Sequence, residues 1–284
     1  MTKTNLPSLI LEGGTFRTIY TSGVLDAFLE HDVHFPYVIG ISAGAINACS
    51  YVSKQKERTY RVFKTYRNDS RYMGVRNFLS DKSYFGLNFS YNIIPNELDL
   101  FDWETYRNFD GVVEFGVTNA YTGKAEFMDA KEMDEECTLL KATCALPMFF
   151  PEIKLNGVPY YDGGLAAPVP VERAEALGYE RHIFVLTRPK GYRKELDWQG
   201  KVAIRSFSKK YPRLAKQMLN RAEQYNQTMD YIEELEAKGR ALVFRPDYAL
   251  KSFEKKPDVF EQSYLMGFKQ GLAKIEQVKS FMAQ

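Results

Sequence analysis

Ser42 is the residue whose setting first points to chemistry. It lies in "GISAGA", residues 40 to 45, where Gly40 and Gly44 flank the serine in a G-x-S-x-G pattern. A serine pinched between a strand and a helix points its hydroxyl out of a sheet. The first backbone N–H groups of the helix then lie near any oxyanion formed there. Such a nucleophile needs a base. The usual base is histidine, and the chain has 3: His31, His34 and His182. The other candidate base is Asp162 in "YYDGG", where Gly163 and Gly164 follow the carboxylate. A third glycine turn, Gly13-Gly14, follows the apolar run "SLIL".

The elements that must hold these residues are legible as patterns. "SLIL" and "YVIG" are short apolar runs ending near glycine, which reads as buried strands. Each is followed by a helical pattern, Val24, Leu25, Phe28 and Leu29 marking one face of the first. Strand, helix, strand, helix with short joints implies parallel strands with helices packed outside. "GVVEFGVTN" and "AEFMDA" read as strands around the turn "YTGK". Further strands are expected at "GVPYY", "RHIFVL" and "ALVF", a long helix from about 212 to 238, and a final helix marked by Phe260, Tyr264, Phe268, Leu272 and Ile275. No linker-like stretch or repeat interrupts residues 1–284, so a single domain is expected.

In an open parallel sheet, ligands sit beyond the carboxyl ends of the strands. On this reading Gly13-Gly14, Ser42 and Asp162-Gly163-Gly164 all fall on that edge. His31 and His34 precede "YVIG", and His182 opens "HIFVL", so all three are expected on the far edge as solvated loop or strand-edge residues. Asp162 is left as the well-placed base. A free aspartate, with a pKa of about 3.9, is weak at neutral pH, and partial burial raises it. The expectation is a Ser42–Asp162 dyad without histidine.

With these residues in place, the chain resembles the patatin-like phospholipases, lipid acyl hydrolases that use a Ser–Asp dyad. "LEGGTFRTIYTSGVLDAFLE" resembles the family's glycine-rich oxyanion loop and first helix. "GISAGA" matches its nucleophile elbow, and "ATCALPMFFPEIKLNGVPYYDGGL" resembles the approach to its D-G-G motif. The similarity covers roughly residues 6 to 190. It implies a three-layer α/β/α fold with a mainly parallel central sheet, Ser42 as nucleophile and Asp162 as general base. It also implies an oxyanion hole from the backbone N–H groups of Gly13, Gly14 and Thr15, with Arg17 just behind. The family's loop usually carries a third glycine and a last glycine where this chain has Thr15 and Thr18. An N–H survives that change, but a β-branched residue at φ > 0 costs energy. Arg17 is expected either to steady the loop or to meet a lipid phosphate.

Composition bounds the rest. The 284 residues are 45% hydrophobic, 26% charged and 14% aromatic with net charge +2, which suits a globular chain and names no acidic partner. Three cysteines, Cys49, Cys137 and Cys144, show no C-x-x-C spacing, so neither a disulfide framework nor a zinc site is expected and a cytoplasmic setting fits. The N-terminus "MTKTNLPSLILEGG" does not read as a signal peptide. Val33 to Ser53 lacks Asp, Glu, Lys and Arg, yet its Pro36, Gly40 and Gly44 read as strand, turn and helix rather than a membrane span.

On the substrate side, the aromatic stretch 83 to 103 is expected as an acyl-chain wall or lid, or as a segment covering the core. Residues 201 to 221 carry Lys201, Arg205, Lys209, Lys210, Arg213, Lys216 and Arg221 with no acid. That run suits peripheral contact with an anionic membrane surface, or simply a solvated helix face. Nothing supports nucleic-acid binding, and "EGGTFR" lacks both phosphate-loop patterns. No metal or organic cofactor is expected. Four readings follow: a lipid-ester acyl hydrolase, a lipid-binding or regulatory relative with an impaired loop, a Ser–His–Asp esterase that would need His182, and a nucleotide-binding protein.

Overall fold

The computed structural model describes residues 6–196 and 198–284. The reading of the N-terminus as no signal peptide runs over residues 1–5, which lie outside the described residues. Strands are β1 (Ser8–Leu11), β2 (Tyr37–Ile41), β3 (Val112–Asn119), β4 (Ala125–Asp129), β5 (Ile153–Leu155), β6 (Val158–Asp162), β7 (His182–Val185) and β8 (Ala241–Phe244). Helices are α1 (Ile19–Glu30), α2 (Ala43–Val52), α3 (Arg58–Tyr66), α4 (Asn77–Ser80), α5 (Trp103–Arg107), α6 (Thr138–Thr143), α7 (Val171–Ala176), α8 (Trp198–Phe207), α9 (Pro212–Ala237), α10 (Pro257–Ala273) and α11 (Ile275–Ala283). Residues 33 to 53 form β2, the elbow and α2, as their glycines implied. The expected final helix is two, α10 and α11, and β5 carried too few residues to be read from pattern.

The eight-stranded sheet runs β5-β6-β3-β2-β1-β7-β8, with β4 also on β3. β1, β2, β3, β7 and β8 pair parallel, while β4 and β6 pair antiparallel with β3 and β5 pairs antiparallel with β6. Period-2 alternation sorts the apolar strand residues to two faces. Leu9, Leu11, Val38, Val113 and Val185 join a core with Val24, Phe28, Ala48, Tyr264 and Val278 from α1, α2, α10 and α11. Ile10, Ile39, Phe184 and Val243 face a second core with Ala174 of α7 and Met229 and Ile232 of α9. The result is the expected three-layer α/β/α arrangement. The C-terminal elements share both layers: β8 pairs in register with β7, and the Tyr264 hydroxyl of α10 donates to Asp26 Oδ2 of α1 at 2.9 Å.

The order reverses between β1 and β7, whose crossovers leave in opposite directions. A crevice forms at such a switch point, beyond the carboxyl ends of the strands. The loops after β1, β2 and β7 all open there.

Candidate active site

Ser42 sits between β2 and α2 with φ 55° and ψ −130°, a conformation a serine adopts only where its surroundings impose it. A Cβ at Gly44 would lie 2.5 Å from the Leu11 carbonyl oxygen, so a side chain there would push α2 off β1. Gly40 allows the same closeness on the strand side. The Ser42 N–H donates to Thr143 Oγ1 at 3.0 Å, and that hydroxyl donates to the Gly116 carbonyl at 2.6 Å. One threonine therefore ties the elbow to β3. Thr143 was not singled out from sequence; its place in "ATCALP", within the D-G-G approach, was the available signal.

Asp162 reaches the same point by a route the sequence reading did not foresee. β6 is antiparallel, so its end does not belong to the carboxyl edge of a parallel strand. Gly116 of β3 pairs with Ile41 on one side and Phe127 on the other, and Val117 pairs with Glu126 and Asp162. With β4 on one side throughout, β2 and β6 share the other side and meet end to end. Asp162 stops one residue beyond the level of Ile41. Gly163 permits the meeting, since a Cβ there would sit 2.1 Å from the Gly116 carbonyl oxygen.

The Asp162 side chain is buried. Its Oδ1 accepts from the Gly164 N–H at 2.7 Å, while Oδ2 has no hydrogen-bond partner. Burial pushes the carboxyl above the usual aspartate range; the nearby Ser42 hydroxyl, the Gly164 N–H and the Arg221 charge pull it partly back. The Ser42 hydroxyl lies close enough to bear on the carboxyl's ionisation, and Oδ2 is left without a hydrogen-bond partner.

The loop after β1 carries the N–H groups expected as donors. A Cβ at Gly13 would fall 2.8 Å from Ser42 Cβ, so the loop backbone touches Ser42. The Glu12 N–H is bonded to Val185, the Phe16 N–H to the Ser252 carbonyl at 3.1 Å, and the Arg17 N–H to Gly14. No protein acceptor takes the N–H groups of Gly13, Gly14 or Thr15 among the described residues. Thr15 does adopt φ 53°, the left-handed region in which a β-branched residue costs ~1–2 kcal/mol. Thr18 counters this, its hydroxyl donating to the Thr15 carbonyl at 2.8 Å. The two threonines act together: one is strained and the other holds it. Arg17 braces the loop, its Nε donating to Thr187 Oγ1 at 3.3 Å and its Nη1 to Ser252 Oγ.

The histidines lie away from this site. His31 and His34 join α1 to β2, and His182 pairs with Ser8 at the first step of β1, ~10 Å of strand from the carboxyl edge. His182 is a correction in one respect: it is buried rather than solvated. Its Nδ1 shares a 2.8 Å hydrogen bond with Ser8 Oγ, and burial lowers its pKa to about 4. Arg221 is another correction. Of the basic run 201 to 221 it alone turns to this crevice, its Nε donating to the Gly164 carbonyl at 2.5 Å, while Lys201, Arg205, Lys209, Arg213 and Lys216 stay exposed.

Ser42 stands between two spaces. A polar crevice of about 270 Å³ holds Ser42, Asp162, Gly13, Gly14 and Thr15 together. A narrow apolar chamber, also bordered by Thr15 and Leu146, runs from Ser42 past Phe63, Tyr72, Tyr91 and Phe150. It adjoins a second, lined by Cys49, Val62, Ile94, Phe101 and Leu140. Residues Phe89–Leu98, a π-helix around Pro95, wall both, so the aromatic stretch packs into the core. Cys49, Cys137 and Cys144 are buried free thiols. No group of His, Cys, Asp and Glu side chains among the described residues is gathered to hold a metal. No helix among them is long and apolar enough to cross a membrane.

The sequence profile described as "Patatin-like phospholipase" matches residues 9–175, more than half of the chain. The chain belongs to the patatin-like phospholipase family. A second profile, described as "Domain of unknown function (DUF6363)", matches residues 211–283. The uncharacterized protein YjjU of Escherichia coli (strain K12) is 25% identical over 196 residues, 64% of this chain and 52% of that one. The match therefore spans about half the length of that curated relative. VipD from Legionella pneumophila aligns over 98% of this chain and 67% of the other at TM-score 0.47 and 12% identity. The patatin-like match holds β1, the elbow, β3 and the D-G-G turn; β7, the loop after it and α9 lie beyond it.

Proposed function

We propose that this patatin-like chain is a serine acyl hydrolase of lipid carboxylic esters. The observation that carries the reading is the facing of Ser42 and Asp162 beside three backbone N–H groups that no protein acceptor takes. Ser42 Oγ attacks the acyl carbonyl as its proton passes to Asp162 Oδ2. The oxyanion is held by the N–H groups of Gly13, Gly14 and Thr15, each such donor lowering the barrier by ~3 kcal/mol. The tetrahedral intermediate collapses, and Asp162 returns the proton to the departing alkoxide. Water, activated by Asp162, then releases the fatty acid. The apolar chambers lined by Tyr91 and Phe63 are the natural place for the acyl chain.

Ser42→Ala and Asp162→Asn should each abolish hydrolysis of a short p-nitrophenyl ester, and a fluorophosphonate probe should label wild type at Ser42 only. Near-wild-type turnover in either variant would sink the dyad.

The second reading is a lipid-binding or regulatory relative with weak catalysis. The strained φ of Thr15 favours it. A folded protein that binds lipid but stays unlabelled by the probe is what it requires.

Peripheral contact with an anionic membrane is proposed for the exposed cations of α8 and the start of α9, beside exposed Val202 and Leu219. We also propose that residues 1–284 belong to one folding unit, because β8 contributes to both cores and α10 to the first, and that the setting is cytoplasmic, which the three free thiols suit.

A further inference from the structure

The loop after β1 is held at both ends by chain beyond the patatin-like match. At its start Glu12 is buried. Glu12 Oε2 accepts from the Thr187 N–H at 2.6 Å and lies 3.1 Å from the Thr187 hydroxyl, while Oε1 accepts from the Tyr225 hydroxyl at 3.1 Å. At the far end the Phe16 N–H donates to the Ser252 carbonyl at 3.1 Å, and Arg17 Nη1 donates to Ser252 Oγ. The Phe16 ring meets Phe253 and Phe260 edge to face, with centroids 6.4 and 6.2 Å away. Gly13, Gly14 and Thr15 lie between these two anchors.

Thr187 joins the anchors. Its hydroxyl lies 3.0 Å from the Gly13 carbonyl oxygen and accepts from Arg17 Nε at 3.3 Å. A Cβ at Gly14 would fall 2.9 Å from that hydroxyl, so the loop backbone rests on it. Glu12 also bears on the elbow, since a Cβ at Gly44 would fall 2.8 Å from the Glu12 carbonyl oxygen. A buried carboxylate that loses a donor is costly, so removing the Tyr225 hydroxyl obliges Glu12 to move toward other donors. Any such shift is felt at the loop and at the elbow together.

The anchoring groups have a common origin. Thr187 follows β7, past residue 175 where the patatin-like match ends. Tyr225 of α9, Ser252, Phe253 and Phe260 of α10 all belong to the segment 211–283, whose profile carries no function. Backbone donors serve an oxyanion well only when they are fixed before the charge appears. The stretch between the anchors has little of its own to fix it: two glycines and a threonine held at φ 53°.

We propose that the segment 211–283 is a clamp on the loop after β1, with Tyr225 and Ser252 as positioning residues. Tyr225 sets Glu12, Ser252 sets Phe16 and Arg17, and between them the N–H groups of Gly13, Gly14 and Thr15 are aimed at one point beside Ser42. The inference rests on the acyl-hydrolase reading. The clamp acts when charge develops on the acyl oxygen and not in ground-state binding, so it changes kcat and leaves KM.

Tyr225→Phe and Ser252→Ala each delete one hydroxyl and keep the packing around it. Each should lower kcat for p-nitrophenyl butyrate by about tenfold at unchanged KM, short of the roughly 10²–10³ of a donor removed outright. Each should weaken to a similar extent the binding of a trifluoromethyl ketone, which adds Ser42 Oγ to give a bound oxyanion. Tyr231→Phe is the control: it deletes a hydroxyl of the same helix, bonded to Glu175 at 2.6 Å, and should match wild type. Wild-type kcat in either test variant, a loss confined to KM, or an equal loss in the control overturns the clamp. Amide deuterium exchange reads the same coupling without turnover. In Tyr225→Phe it should quicken several-fold at the Arg17 amide, and in Ser252→Ala at the Thr187 amide, each at the end opposite the substitution. Unchanged exchange at those amides overturns the clamp whether or not the protein cleaves esters. Failure of the hydrolase reading shows separately, as wild type with no turnover of p-nitrophenyl butyrate and no fluorophosphonate labelling.

Discussion

Ser42 and Asp162 stand at the facing ends of two strands that approach each other along one side of β3, Ile41 beside Gly116 and Asp162 beside Val117. Each residue is local to a glycine turn, and the pairing of both turns to one strand makes them neighbours. The buried Asp162 carboxyl, with Oδ2 unpartnered, is costly in the ionised form and suited to accept a proton.

That cost has a sign that can be measured. The folded-state pKa of Asp162 is raised, so the unfolded chain loses its proton first and stability falls as pH rises. Below the ordinary aspartate value of about 3.9 both states are protonated and no penalty exists. Asp162→Asn should therefore raise Tm at pH 7 to 8, and the gain should vanish on approaching pH ~4. A variant less stable than wild type at pH 8 would contradict the burial argument.

Thr143 links the elbow to the sheet. Thr143→Val removes both its hydrogen bonds and leaves the Ser42 N–H and the Gly116 carbonyl buried. The expected loss is ~2–4 kcal/mol in denaturant unfolding, together with a lower kcat toward p-nitrophenyl butyrate. A variant matching wild type in both would deny the threonine its role.

The loop after β1 invites the opposite change. Thr15→Gly removes the cost of a β-branched residue at φ 53° and retains the N–H. Thr18→Ala removes the bond that holds Thr15. The first should keep or raise the rate of fluorophosphonate labelling, and the second should slow it several-fold. Equal rates in all three proteins would show that the threonines do not set the loop.

His182 tests the rival triad. It is buried against Ser8 at the amino end of β7. His182→Asn should retain hydrolysis within a few-fold while costing ~1 kcal/mol or more of stability from the disturbed Ser8 bond. Loss of turnover in a stably folded variant would favour a Ser–His–Asp site.

The basic surface separates from the site. Reversing Lys201, Arg205 and Lys209 to glutamate should abolish sedimentation with anionic vesicles at low salt, with each charge contributing about 1 kcal/mol. Wild type that fails to bind such vesicles would remove the membrane proposal.

Sequence alone determined the local pieces. Glycines at fixed spacing around Ser42 and after Asp162 record close backbone approaches, and apolar runs of strand length record a buried parallel sheet. Chain order was enough to place the histidines on the far edge, because the direction of a parallel strand follows from its crossover. Tertiary structure decided what depends on long-range pairing. The antiparallel course of β6, the Thr143 link, the Thr18 brace and the gathering of Glu12, Arg17, Tyr225 and Ser252 leave no periodicity to read. Those residues lie far apart along the chain, and each alone looks like an ordinary charged or polar side chain. Only the register of β3 and the switch between β1 and β7 bring them to one crevice, since hydrogen-bonded pairing is set between segments and not within them.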